Sequence, residues 1–277
     1  MNFLDITQNF GILDIFSVDE LKSGHINKTY LINKKYVLQS LNRDIFKNPE
    51  IIMNNISLIE KAFTDEKTIT VPHYLSCCGK NYTEQDGEIW RMCGYIKENP
   101  NAENKNYSYG YAVGRFLCVV NTSGFEFENT VNLHNFRLNL PIRNIHGDTK
   151  IDNIIFGEKT TIIDFDTSMR GYICTDYGDM IRSATNKSFD LQTVYQITEG
   201  FADVLEGHLT KGEIDSLYSG IILVMSELIE RYHAGNRNFP NKTYEECRER
   251  ENQLNLQLDE FYRYKNDIIK IIDECFS

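Results

Sequence analysis

The chain has 277 residues, 41% hydrophobic and 25% charged, the balance of a globular protein long enough to bury a sizeable core. Its formal net charge is −11, so it lacks the basic surface that binding a nucleic-acid backbone demands. No run reaches the roughly 18 apolar residues of a membrane span.

The first residues, Met1 to Asp5, have neither the basic nor the long apolar region of a secretory leader. Seven cysteines (77, 78, 93, 118, 174, 247, 275) are scattered and form no Cys-x-x-Cys. That pattern predicts no zinc site and no disulfide framework, and it fits a reducing, cytoplasmic setting. Ser23-Gly24-His25-Ile26-Asn27 is a candidate loop over nucleotide phosphates, with Gly24 and Asn27 as the contacts. It carries a single glycine, and no Gly-x4-Gly-Lys-Ser/Thr loop occurs in the chain. Tyr30-Leu31-Ile32 and Tyr36-Val37-Leu38 read as two strands joined by Asn33-Lys34-Lys35.

Asn48-Pro49-Glu50 is a helix start, with Ile52, Met53, Ile56, Ile59 and Phe63 on one face. Glu50 and Glu60 are acids on this helix that could meet a basic group in a nucleotide site; a solvated surface is the simpler reading. Tyr74–Cys77 and Ile89–Ile96 read as strands around the turn Glu84-Gln85-Asp86-Gly87. Residues 98–108 are polar and read as a linker. Tyr109, Ala112, Val113, Phe116, Leu117 and Val120 then recur at helical spacing. Further helices are predicted over about 190–208, 213–232 and 243–274, with residues 166–178 irregular. Glu199, Asp203, Glu206, Glu213, Asp215 and Glu230 would form their solvated faces. The histidines 25, 73, 134, 208 and 233 have no metal-ligand spacing; His134 alone stands where it could face a substrate.

The segment from His146 to Asp164 carries the chemistry. Two apolar runs, Ile154–Phe156 and Thr161–Ile163, flank Gly157-Glu158-Lys159-Thr160, which predicts a hairpin with Phe156 opposite Thr161. In that register Asn153 stands opposite Asp164, with Cβ atoms roughly 4.5–5.5 Å apart. Two such oxygen-bearing side chains can share Mg²⁺ with a nucleotide phosphate. Asp148, five residues before Asn153, is placed to take a proton from a substrate hydroxyl. Lys150 would meet the transferring phosphate, and His146 would order the loop more than react.

His-x-Asp-Thr-Lys with Asn153, Ile163-Asp164-x-Asp166-Thr167-x-Met169 with Gly171, and Asp176-Tyr177-Gly178-Asp179 with Ile181-Arg182 together resemble the aminoglycoside phosphotransferase and choline kinase superfamily. Tyr36-Val37-Leu38-Gln39 with Asn42, Phe46 and Pro49-Glu50, and the segment Arg231-Tyr232 through Arg250, are similar too; within the superfamily the pattern looks most like N-acetylhexosamine 1-kinases. The resemblance implies an α+β, bilobal protein-kinase-like fold with a strand-rich nucleotide-binding lobe over 1–96 and a helical catalytic and acceptor-binding lobe over 97–277. It implies ATP and Mg²⁺, and phosphorylation of a small-molecule hydroxyl, the anomeric hydroxyl of an N-acetylhexosamine first and an aminoglycoside or choline-type acceptor second. Asp148 would be the base, Asn153 and Asp164 the metal ligands, Asp166 a supporting group and Asp176 a brace for the loop. Backbone groups near Met92, Cys93 and Tyr95 would hold adenine.

Three departures stand out. Gln39 occupies the strand position that usually bears a phosphate-binding lysine, so the cation must come from elsewhere, with Lys150 as a candidate. Gly147 replaces the asparagine of the sugar-kinase branch. The stretch between Asn121 and Pro141, which helps wall the acceptor pocket in that branch, is short here. Two other classes compete. The missing lysine suggests a nucleotide-binding pseudokinase. Thr161–Ser168 resembles the nucleophile strand of haloacid dehalogenase-type phosphatases, although Ser183 stands where their later metal-binding Asp is expected.

Overall fold

A computed structural model describes residues 2–21, 27–130, 137–235, 238–239 and 242–277. Gly24, His25 and His134 fall outside the described residues. The front of the molecule is a five-stranded antiparallel sheet in the order β1-β2-β3-β5-β4. Its strands are β1 (Val18–Glu20), β2 (Lys28–Ile32), β3 (Tyr36–Ser40), β4 (Thr83–Gln85) and β5 (Glu88–Gly94). Strand alternation splits the sheet into two faces. Ile32, Leu38, Trp90 and Met92 bury against Ile6 and Phe10 around the N-terminal helix α1 (Phe3–Gln8). The opposite face carries Thr29, Gln39, Arg91 and Cys93, and it looks toward the rest of the molecule.

The second helix, α2 (Pro49–Ala62), begins at the predicted Pro49. Its apolar stripe joins the large core, which continues through Phe116, Ile162 and Phe165 into the back half. Asn55 on this helix is buried and holds three backbone groups. Its Nδ2 donates to the carbonyls of Glu128 (2.8 Å) and Ser168 (3.0 Å), and its Oδ1 accepts from the Glu128 amide (3.1 Å).

The back half is helical: α3 (Lys105–Thr122), α4 (Ile173–Ala184), α5 (Leu191–Leu205), α6 (Lys211–Asp215), α7 (Leu217–His233), α8 (Tyr244–Arg263) and α9 (Lys265–Cys275). Two helix pairs approach closely at glycines. A Cβ on Gly110 of α3 would lie 1.8 Å from the Ile197 carbonyl oxygen of α5, and one on Gly220 of α7 would lie 1.9 Å from that of Cys174 in α4. Small pairs of strands, β6 (Arg143–Ile145) with β9 (Met169–Gly171) and β7 (Ile154–Phe156) with β8 (Thr160–Ile162), lie between front and back. Among the described residues, no helix is long and apolar enough to cross a membrane.

Several sequence expectations change. The stretch read as irregular contains β9 and the start of α4, whose Ile173, Tyr177, Met180 and Ile181 recur at helical spacing and are buried. Helix α3 begins at Lys105, inside the expected linker. The single C-terminal helix breaks at Tyr264, whose ring stacks on Phe189 with centroids 5.0 Å apart. Only single bridges, at Tyr74 and Cys77, form in the strand expected over 74–77. Glu213 is not solvated: it is 2% exposed, accepts from Arg143 at 2.9 and 3.0 Å, and closes a capping box with Thr210 at the start of α6.

Candidate active site

The loop after β6 is built around Asp176 of α4. Its carboxylate accepts the amides of His146 (2.7 Å) and Gly147 (2.9 Å), and its carbonyl accepts the Thr149 hydroxyl (2.6 Å). Gly147 has φ +81°, a left-handed conformation that glycine adopts without strain. His146 is fully buried. Its Nδ1 accepts the Asp148 amide (3.3 Å), so Nε2 carries the hydrogen that meets the Ile163 carbonyl (3.0 Å). Burial pushes its pKa down, though the Asp148 carboxylate opposes this, so the ring stays neutral. These bonds tie the His146 ring to the loop backbone and to Ile163.

Asp148, Lys150 and Asn153 are in direct contact. Lys150 Nζ lies 2.5 Å from Asp148 Oδ2, and Asn153 Nδ2 donates to the same oxygen (3.1 Å) and to the Asp148 carbonyl (2.8 Å). Two further bonds fix the loop from below: the Tyr109 hydroxyl donates to the Thr149 carbonyl, and the Ile151 amide donates to Ser183 Oγ (2.9 Å). Neither Tyr109 nor Ser183 carried a functional signal in the sequence, because one sits in an ordinary apolar stripe and the other in a helix.

The hairpin register differs by one residue from expectation. Ile154 pairs with Ile162, Ile155 with Thr161 and Phe156 with Thr160, around a three-residue turn. The reason lies outside the hairpin. Thr70 bridges to Thr161 in parallel; its amide donates to the Thr160 carbonyl (3.0 Å), and its carbonyl accepts the Ile162 amide (3.1 Å). That draws Thr160 out of the turn and into the strand. Asn153 consequently faces Ile163, whose amide donates to the Asn153 carbonyl (2.9 Å), and not Asp164. A slip of one residue would send Asp164 to the other face. Here the strand ends first: Asp164 takes a left-handed conformation (φ 69°, ψ 64°) that breaks the alternation.

The Asp164 carboxyl is pushed up to about 7, first by burial and then by the charge of Asp166; Lys150 and Arg91 offset part of this, and Asp148 adds to it. Asp164 therefore lies within electrostatic reach of Asp148, Lys150 and Asp166. A buried, incompletely neutralised carboxylate beside other acids is a setting that a divalent cation relieves. Among the described residues no three His, Cys, Asp or Glu side chains converge closely enough to hold a metal by themselves. Mg²⁺ takes one or two protein oxygens and completes its shell with phosphate and water, and Asp164 with Asn153 would be the residues to hold it.

Asp166 belongs to a second cluster. Its Oδ1 is 2.5 Å from Arg91 Nη1, and its Oδ2 accepts from Asn27 Nδ2 (2.6 Å). Arg91 Nε donates to Gln39 Oε1 (3.0 Å), and Gln39 Nε2 donates to Thr29 Oγ1 (3.2 Å). Gln39 and Asn27 are thus joined through Asp166 to the turn that follows Asp164. Arg91 had no assigned role in the sequence reading, yet the signal was present: a lone arginine in Ile89–Cys93, alternating onto the face of Ile89 and Cys93, is a buried charge that must find a partner. Glu60 does not join this cluster; it accepts the Tyr74 amide (2.8 Å).

The residues expected to meet adenine lie at the end of β5 and just past it. The Met92 side chain is buried on the α1 side of the sheet, and its carbonyl accepts the Leu75 amide (2.7 Å). The Tyr95 amide donates to the Lys35 carbonyl (2.8 Å), and its ring is 43% exposed. Each of these two backbone groups has a partner within the chain. Cys93 stays on the inward face, with burial pushing its thiol pKa up to about 11.

Residues 128–204, which contain Asp148, Asn153, Asp164 and Asp176, match the phosphotransferase enzyme family. A microcompartment-associated aminopropanol kinase is 14% identical, with 97% of this chain and 99% of that one aligned at a TM-score of 0.69. An aminoglycoside phosphotransferase from Alicyclobacillus acidocaldarius is 9% identical over 98% and 96% of the two chains, with a TM-score of 0.66. The GDP complex of an aminoglycoside 2'-phosphotransferase-IIIa is 13% identical over 92% and 96%, with a TM-score of 0.63. Such likeness shows a shared fold, the α+β protein-kinase-like arrangement expected from the sequence. The strand that the phosphatase reading needs is here β8, a three-residue hairpin strand ending at Ile162, with Asp164 two residues beyond it in a left-handed conformation.

Proposed function

We propose that this chain is an ATP- and Mg²⁺-dependent phosphotransferase acting on a hydroxyl of a small molecule. The observation that carries the reading is the contact of Asp148 with both Lys150 and Asn153, with Asp164 in electrostatic reach, in a loop anchored by Asp176. Each residue then has a physical task. Lys150 and Asn153 both donate to Asp148 Oδ2, which fixes the carboxylate and leaves Oδ1 to accept the proton of the attacking hydroxyl. Lys150 also holds a positive charge at the position where negative charge builds on the transferring group. Asp176 and His146 spend their hydrogen bonds on the loop backbone, so the base is placed before substrate arrives.

Asn153 and Asp164 would hold the metal, which when bound neutralises the nucleotide phosphates and orients them. Asn153 Nδ2 is turned to Asp148, leaving Oδ1 as the remaining ligand atom. The division into a nucleotide lobe up to residue 96 and an acceptor lobe beyond it is part of this proposal. The acceptor is an alcohol. N-acetylhexosamines are the first class to test, because the quoted sequence segments resemble those of the kinases that act on them; amino alcohols and aminoglycosides follow, on the compounds named for the similar folds.

The test is ADP release from Mg-ATP against a panel of N-acetylhexosamines, hexoses, choline, small amino alcohols and aminoglycosides. Acceptor-dependent release supports the proposal. Tight ATP binding with no release for any acceptor would favour a pseudokinase.

A further inference from the structure

Position 39 poses a problem of charge. Gln39 cannot attract phosphate as a cation would, and Lys150 is bound to the base. The sheet itself holds another cation. Gln39 and Arg91 are directly opposed on β3 and β5, so their side chains leave the same face at the same point. Arg91 is 1% exposed, yet its guanidinium is only partly satisfied. Nε donates to Gln39 and Nη1 to Asp166, while the plane rests over the Tyr74 ring at 5.4 Å; among the described residues, buried Nη2 has no hydrogen-bond partner. An orphaned guanidinium nitrogen at full burial is expensive, and in native proteins it marks a missing acceptor. Its neighbours narrow what that acceptor is. Asp166 follows the candidate metal ligand Asp164 by two residues, so the guanidinium is tied to the segment that would meet the nucleotide's metal.

We propose that Arg91 supplies from β5 the phosphate-binding cation that β3 lacks, with Nη2 as the donor to a phosphate oxygen of a nucleoside di- or triphosphate. Gln39 then has a defined task. Its Oε1 holds Nε, and its Nε2 is itself held by Thr29, so the fork is fixed in orientation. Asp166 fixes the other arm. Arginine suits this role because three nitrogens allow two anchors and one free donor. This assignment rests on the kinase reading above.

The test compares Mg-ADP with adenosine binding by calorimetry. Arg91→Lys keeps a charge on Asp166 but has no second arm, and Arg91→Gln removes the charge. Both are expected to weaken Mg-ADP roughly ten- to hundredfold, the scale of one charge-assisted hydrogen bond, with adenosine affinity unchanged. Gln39→Lys combined with Arg91→Gln moves the cation across the strand pair and should restore the preference for ADP over adenosine. If Arg91→Gln does not fold, as judged by circular dichroism, Arg91→Lys decides. Equal losses for ADP and adenosine in a folded variant would make Arg91 purely structural and overturn the proposal, as would no loss at all. Absence of any nucleotide binding by the unaltered chain would instead count against the kinase reading.

Discussion

Replacing Gly220 with alanine tests how the helical half positions the catalytic loop. Alanine is the better helix former by about 1 kcal/mol, so propensity alone predicts a gain in stability. The packing predicts the reverse. The new Cβ would stand 1.9 Å from the Cys174 carbonyl oxygen and 2.9 Å from the Cys174 Cβ. Comfortable heavy-atom contact begins near ~3.5 Å, so α7 and α4 must separate by roughly 1.5 Å. The atom in the way is backbone and cannot rotate aside. The reciprocal contact is also closed, because a Cβ on Gly178 would meet the Gly220 carbonyl at 2.4 Å. Overpacking of this kind costs about 1–3 kcal/mol or more. For a chain of this size each 1 kcal/mol moves the melting temperature by about 2–4 °C. Gly220→Ala should therefore lower Tm by several degrees in a thermal scan. Gly212→Ala is the control. Its Cβ would meet only a leucine methyl at 3.5 Å, an ordinary contact, and its Tm should hold or rise slightly. Asp176 lies two residues after Cys174 on α4 and holds the His146 and Gly147 amides, so Gly220→Ala should also reduce turnover by more than the unfolded fraction accounts for. A Tm equal to or above that of the unaltered chain would refute the close-packing argument.

Asp148→Asn should lower kcat by about 10²–10⁴-fold while leaving nucleotide affinity intact, because it removes the proton acceptor but keeps the shape; stopped-flow or coupled ADP release measures the first and calorimetry the second. Asp164→Ala should weaken Mg-ATP binding, read by calorimetry; unchanged affinity would remove Asp164 from the metal site. Glu66 supplies a pH signature. Burial would raise its pKa, but the hydrogen bond from Arg115 and those from Thr68 outweigh this and hold it at about 2, below the ordinary 4.5. The ion pair with Arg115 is therefore fully stabilising above pH 4.5 and is lost as pH falls from there toward 2. Denaturant melts of Glu66→Gln should show a deficit of about 1–3 kcal/mol at neutral pH that closes in acid; a deficit independent of pH would refute the assignment.

Local pattern carried much of this structure in the sequence. Pro49 opened α2, alternation set β2 and β3, and the five-residue spacing brought Asp148 and Asn153 into contact. What could not be read depends on partners distant in the chain. The hairpin register is set by Thr70, some 90 residues from Thr161, and no count of turn residues contains that information. The left-handed backbone of Asp164 is likewise invisible to strand alternation. Arg91 was legible as a charge needing a partner, but not as the partner of Asp166, because only the folded sheet brings the two together. Helix α4 was hidden by its glycine and acids, which look like loop residues until Gly178 is seen against α7.

Asn55 has a mechanical consequence. One short side chain on α2 clasps the backbone at Glu128 and at Ser168, four residues past the candidate metal ligand. Arg91 and Asn27 clasp Asp166 from the sheet. Thr70 on β8 and Glu66 on Arg115 add further ties between the same halves of the chain. The backbone just past Asp164 is thus anchored from α2 and from the sheet at once, and loss of either clasp would leave the other holding it.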